Sequence, residues 1–273
     1  MAAKGRQSKL VRKDTPKKTY TITFGDVAEN HARMQKIGEL AEHGWSREML
    51  EHVQRQAEAE GIRTELVSLH TEWMGPGEVA EAWVLILRNG AQGILHPRTT
   101  KELMEENDQL DMDKHALMKG RVVNKHARWN LCFAEEDQEP EYETGKGRVV
   151  AWRHIPLVSM IREKIGDWTS GATERELLNG EANYYYDIST CGIGYHGDGE
   201  RKKVFAVRMG ASMPLYYQWY QYSMKVGDAI QIELHDGDMY MMSEKAVGFD
   251  WLKKNTPTLR HATGCKKFTD KDM

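Results

Sequence analysis

Residues 191–200 read Cys191-Gly-Ile-Gly-Tyr-His196-Gly-Asp198-Gly-Glu200, a short apolar run that meets a glycine-rich turn and sets a histidine and an aspartate two positions apart. On an extended chain, positions i and i+2 face the same side, so His196 and Asp198 direct an imidazole and a carboxylate into one pocket. These groups are two thirds of a 2-His-1-carboxylate facial triad, which holds Fe(II) and keeps positions open for a co-substrate and dioxygen. A His-x-Asp pair taken alone is more often a solvated turn than a metal site, so the flanking sequence decides.

Upstream lies Gly180-Glu-Ala-Asn183-Tyr184-Tyr185-Tyr186-Asp187, and downstream the strand-like Lys203-Val-Phe-Ala-Val-Arg208-Met-Gly210. Further on, Leu234-His-Asp-Gly237-Asp238-Met-Tyr-Met-Met242-Ser243 is followed by Trp251 and Pro257. Over residues 175–267 this ordered pattern resembles the AlkB-type Fe(II)/2-oxoglutarate dioxygenases. The resemblance implies a double-stranded β-helix, or jelly-roll, core. It places Tyr186, with Asn183 nearby, at the 2-oxoglutarate pocket, and matches Gly194-Tyr195 and Glu200 to the family's residues around the His-x-Asp pair.

Two departures stand out. Where such dealkylases carry their distal ligand, two residues after the Trp, this chain has Lys253; the histidine downstream is His261, assigned as third ligand after a longer connection. The chain reaches Met273 before the family's late arginine pair fits at normal spacing. Another cation must therefore hold the distal carboxylate of 2-oxoglutarate, preferably a guanidinium with its two-pronged fork. Arg208, Arg260, Lys266 and Lys267 are the candidates, with Arg208 first because it lies on the strand leaving the ligand turn.

Composition narrows the rest. The 273 residues suffice for a sizeable core. Cys132, Cys191 and Cys265 form no paired framework and no CxxC, which suits a reducing compartment, cytoplasmic or nuclear, and suggests no zinc site. No apolar stretch approaches 18 residues and the basic start lacks a signal-peptide core, so a soluble, non-membrane protein is expected. A formal net charge of −3 argues against a strongly basic nucleic-acid surface.

In chain order, residues 1–18 hold seven Lys or Arg against one Asp and read as a disordered basic tail. Thr19–Phe24 alternates as a strand. Asp26 can cap a helix through Met34, Ile37 and Leu40 to His43-Gly44, and Ser46 caps another through Leu50 and Val53 to Gly61. Residues 64–69 and 82–87 are strands, and Asn89-Gly90 signals a tight hairpin. A helix capped at Thr99 or Thr100 runs through Leu103 toward Leu117, broken near Asp111. Six acidic residues over 135–143 make a solvated loop. Residues 149–152 form a strand and 157–165 a helix, with short strands from 183 onward. The expected fold is α+β, with a helical N-terminal α/β extension over 19–145 and an oxygenase core over 146–273.

For substrate contacts, Arg121, Asn124, Lys125, Arg128 and Trp129 combine cations, an amide and an aromatic ring. Within the aromatic run 213–222, Tyr217 and Trp219 belong either to the core or to a stacking surface. The resemblance implies 2-oxoglutarate decarboxylation to succinate with hydroxylation or oxidative demethylation of a C–H bond, and the retained Asp198 argues against the halogenating branch. A nucleotide-type substrate is expected, free or in nucleic acid. The alternatives are an amino acid or other metabolite, and a nucleic-acid-binding relative without iron.

Overall fold

The protein is described from a computed structural model, over residues 17–71, 81–171 and 174–270. Apart from Lys17 and Lys18, the basic stretch at the start lies outside the described residues.

The first half supplies β1 (Thr19–Gly25), β2 (Val27–Glu29), β3 (Lys36–Gly38), α1 (Arg47–Ala59), β4 (Arg63–Ser68), β5 (Trp83–Arg88), α2 (Gly90–Leu95), α3 (Thr100–Asp108), β6 (His115–Met118), β7 (Arg121–Asn124) and β8 (Trp129–Ala134). The second supplies β9 (Val149–Ala151), α4 (Pro156–Thr169), β10 (Asn179–Tyr185), β11 (Gly192–His196), β12 (Val204–Gly210), β13 (Leu215–Gln221), β14 (Met224–Ile232), β15 (Met239–Met242), α5 (Glu244–Val247), β16 (Thr258–Gly264) and α6 (Lys266–Thr269). The fold is mixed, mostly sheet with few helices. No described helix is long and apolar enough to cross a membrane.

An eight-stranded sheet runs β4-β5-β15-β12-β1-β10-β8-β9 and a four-stranded sheet runs β11-β16-β13-β14. Strands from both sides of residue 145 share the larger sheet, and β1 is its spine, paired antiparallel with β10 on one edge and β12 on the other. Period-two alternation divides the faces. Tyr20, Ile22 and Phe24 of β1, Ala182 of β10 and Phe205, Val207 and Met209 of β12 meet a helical layer through Leu50 and Val53 of α1, Leu95 of α2, Leu103 of α3 and Ile161 and Ile165 of α4. The opposite face packs on the smaller sheet, where Val84, Ile86, Val204, Tyr240 and Met242 meet Leu215, Tyr217, Trp219 and Leu259. Toward the other end that inner face turns polar. Arg208, Thr21, Asn183 and Asn130 stand in one register row across β12, β1, β10 and β8.

Local chemistry explains the helices. The Ser46 hydroxyl accepts from the Met49 amide to start α1, and Thr99 and Glu102 form a reciprocal capping box on α3. Three expectations fail. No helix occupies residues 27–43: the Asp26 carboxylate accepts from the amides of Ala41, Lys202 and Lys203, so it ties a loop across the fold instead of capping, and β2 and β3 form a small ribbon. Asn89-Gly90 makes no hairpin, because Asn89, left-handed at φ 53°, opens α2 while its amide is held by Asp238. The helix after Thr99 ends at Asp108, and Leu117 lies on β6.

Ile22 is fully buried at the centre of the larger sheet. Ile22→Ala should cost about 2–5 kcal/mol of unfolding free energy in urea with unchanged slope, whereas Met224→Ala, on an exposed edge, should stay within about 0.5 kcal/mol.

Candidate metal centre

His196 closes β11 and Asp198 follows one glycine later. That glycine is required by contact: a Cβ at Gly197 would lie 2.1 Å from the Gly248 carbonyl oxygen. The Asp198 amide also donates to Val247 O at 3.0 Å, so the turn between the two side chains is pressed onto the end of α5. β11 and β16 pair antiparallel with a register irregularity between Ile193 and His196, which sets His196 opposite His261. The three residues thus converge although the two histidines are far apart in sequence. One ligand atom from each lies within 4.8 Å of the others. Asp198 Oδ1 is 3.5 Å from His196 Nε2 and 3.4 Å from His261 Nε2.

This donor set fits a divalent cation. Bonds of about 2.0–2.2 Å place ligand atoms about 3–3.5 Å apart, according to whether the angle at the metal is octahedral or tetrahedral. His196 Nδ1 lies 2.8 Å from the Gly194 carbonyl, which only accepts, so that nitrogen carries the hydrogen and Nε2 presents its lone pair to the cluster. Burial, reinforced by the facing His261, pushes the His196 pKa down to about 3, which keeps the ring neutral. Burial alone would raise Asp198, but its attraction to and hydrogen bond with His261, and the charge of Arg201, hold it below the usual carboxylate range. The arrangement is a neutral imidazole and a carboxylate ready to ligate.

Arg201 secures the far side of the carboxylate. It is buried, with Nε 3.6 Å from Asp198 Oδ2 and Nη2 bonded to Glu181 at 2.5 Å and Glu200 at 2.9 Å. Three carboxylates share one guanidinium, and burial followed by the Asp198 charge lifts Glu200 to about 7.

The surrounding wall holds polar atoms with no protein partner among the described residues: Arg208 Nε and Nη1, Thr21 Oγ1, Tyr217 Oη and His261 Nδ1. Arg208 is 0% exposed, and among the described residues its guanidinium makes one hydrogen bond, from Nη2 to Thr263 Oγ1 at 3.4 Å. Thr263 stands two positions from His261, on the same face of β16. A buried guanidinium with two unsatisfied nitrogens is costly, and an incoming anion is what would satisfy it.

The other expected residues divide. Asn183 faces the site, accepting from Arg128 Nε and Asn130 Nδ2 at 2.6 Å and donating to Glu181 at 3.0 Å. Tyr186 does not: its hydroxyl donates to His126 O and its ring lies on Trp129, while Tyr185, one residue earlier, is buried on the inner face. Arg260 points to the opposite face of β16 from His261, stacked 3.9 Å over Tyr220. Lys266 and Lys267 are exposed on α6, so neither reaches the centre. Arg121 and Asn124 are exposed on the β6–β7 hairpin, and Lys125 is tied to Asn30 Oδ1 at 2.6 Å. Trp129 lies against Tyr184, on the helical side of its strand. Tyr217 lines the centre in register with His261, whereas Trp219 is core, its indole bonded to Leu69 O. Lys253 is exposed in the preceding loop. Tyr185, Thr21 and Arg201 escaped the sequence reading; the first two are placed by the pairing of β1 with β10 and β12, which no pattern along a single strand records.

No known protein-family profile matches the chain. An uncharacterized protein of Acanthamoeba polyphaga mimivirus, R156, is 46% identical over 254 residues, covering 92% of this chain and 98% of that protein.

His261→Ala should abolish tight binding of one divalent metal in an anaerobic Fe(II) titration, and Lys253→Ala should leave it intact. Arg201→Lys should weaken metal affinity by about 10–100-fold, because Asp198 loses its orienting partner.

Proposed function

The chain belongs to the family of that mimivirus protein, and from this premise we propose that it is an Fe(II)/2-oxoglutarate-dependent dioxygenase acting on a C–H bond of a nucleotide-type substrate. The observation that carries the reading is the pairing of a His-Asp-His cluster with the buried guanidinium of Arg208, whose Nε and Nη1 have no partner among the described residues and whose Nη2 reaches Thr263, two strand positions from His261. A metal with three protein ligands serves hydrolysis as well as oxidation. A second, buried anion-binding group behind it is what a dicarboxylate co-substrate requires.

Topology supports the jelly-roll form of this core. From β10 onward the chain alternates between the sheets, and β13 pairs with β14, β12 with β15 and β11 with β16, as a long ribbon folded back on itself. The place beside β10 that would complete the ribbon is taken by β1. The strand there comes from the N-terminal side of the chain and its inward residues are threonines, so the cation expected from a late strand is supplied by Arg208 on neighbouring β12.

In this reading His196, Asp198 and His261 hold the metal, which when bound with 2-oxoglutarate and dioxygen supplies the oxidation of a substrate C–H bond coupled to release of succinate and carbon dioxide. Arg208 binds the distal carboxylate of the co-substrate through charge-assisted hydrogen bonds from the donors that its described neighbours leave unused. The hydroxyls of Thr21 and Tyr217 are further donors on the same wall. The apolar half of the sandwich interior excludes water from that end. His196, with a side chain 26% exposed against 10% for His261, marks the side from which substrate arrives.

Adding Fe(II) and 2-oxoglutarate anaerobically should produce the visible charge-transfer band of a metal-chelated 2-oxo acid. Arg208→Met should retain Fe(II) binding and lose the co-substrate. Its unliganded form should be as stable as the wild type or more so, since an unpaired buried charge is removed, while the rise in melting temperature that 2-oxoglutarate gives the wild type disappears. A wild type that binds metal without the band, unaltered by 2-oxoglutarate, contradicts the proposal.

A further inference from the structure

Resting on the oxygenase reading, we propose that Arg128 is the specificity-determining residue of the site, its free guanidinium edge binding a phosphate carried by a small substrate.

The segment bearing Arg128 is fastened beside the metal centre. The Ala127 carbonyl accepts from the amide of Gly192, the first residue of the strand that ends in His196. Arg128 Nε donates to Asn183 Oδ1 at 2.6 Å, and Asn183 is itself held by Asn130 and Glu181. That anchor fixes the plane of the guanidinium through one nitrogen. Among the described residues, Nη1 and Nη2 engage no carboxylate or carbonyl. Arg201 is engaged by three carboxylates, Arg260 stacks on Tyr220 and Trp251 on the other face of β16, and Arg208 is fully buried. Arg128 is half-buried, on the inner side of the sheet, and its positive charge contributes to the depression of His196. The edge left open is the one that takes an oxyanion in two parallel hydrogen bonds.

Phosphate is favoured over carboxylate by a second cation on the same segment. Lys125, three residues earlier, is half-buried with Nζ donating to Asn30 Oδ1 at 2.6 Å, and from that anchored position its charge and that of Arg128 act on each other and on His31. Two cations suit a dianion. A small molecule is favoured over a polymer because the chain carries a formal net charge of −3, where a phosphate backbone would require an extended basic surface.

The test is a calorimetric titration of wild type, Arg128→Lys and Arg128→Gln with AMP, CMP, GMP and UMP and with the four matching nucleosides. It is run on metal-free protein and, anaerobically, on protein loaded with Fe(II) and 2-oxoglutarate. At least one monophosphate should bind wild type about tenfold or more tightly than its nucleoside, the value of a charge-assisted hydrogen-bonded pair. Arg128→Gln should lose that preference and Arg128→Lys keep part of it. All three should retain the 2-oxo acid band, showing that fold and metal site survive. Equal binding of monophosphates and nucleosides, no binding of either, or a preference that survives in Arg128→Gln overturns the assignment. Absence of the band in wild type overturns the oxygenase reading alone, since the metal-free titration still judges Arg128.

Discussion

The antiparallel pairing of β11 with β16 is the constraint on which the site depends, because it alone brings His261 to His196. A slip of one residue along β16 would turn His261 outward and bring Arg260 in, since side chains alternate along a strand. The pairing is therefore pinned at its far end. Gly264, at φ 114°, approaches Gly192 so closely that a Cβ there would lie 2.3 Å from its Cα, and the Cys265 amide donates to Cys191 O. The irregularity near Ile193 then absorbs the mismatch that lets the strand end in the His-Gly-Asp turn.

Stability and chemistry are divided between the two faces of the larger sheet. On the helical side β1, β10 and β12 contribute continuous apolar packing, and the fold rests on that layer. On the inner side the same strands present Thr21, Asn183, Glu181 and Arg208. Asn183 and Arg201 both bond to Glu181, whereas Arg208 is left with two nitrogens that have no partner among the described residues. A buried charge of this kind destabilises the protein unless something meets it. Its retention at a fully enclosed position, beside groups suited to hold a metal, places the cost where a ligand can recover it.

Legibility in the sequence followed the range of the interactions. Helix α1 and the start of α3 were readable because Ser46, Thr99 and Glu102 act within a turn of their own helices. The His-x-Asp pair was readable for the same reason, being local. Residues 27–43 misled because Asp26 looks like a cap, yet its carboxylate serves amides about 176 positions away, which no local pattern records. Three consecutive tyrosines at 184–186 left the inward one undecided, since parity needs a fixed reference and β10 acquires one only by pairing with β1. Arg201 showed only its local neighbours Asp198 and Glu200, because its pair with Glu181 on β10 is made across the fold. The place of β1 between β10 and β12 was invisible for the same reason.

The most direct test is anomalous diffraction at the iron edge from crystals grown anaerobically with Fe(II) and 2-oxoglutarate. The account predicts one strong peak bounded by His196, Asp198 and His261, with the co-substrate chelating it and its far carboxylate on Arg208. A peak elsewhere, or a bound 2-oxoglutarate that leaves Arg208 without a partner, would contradict it.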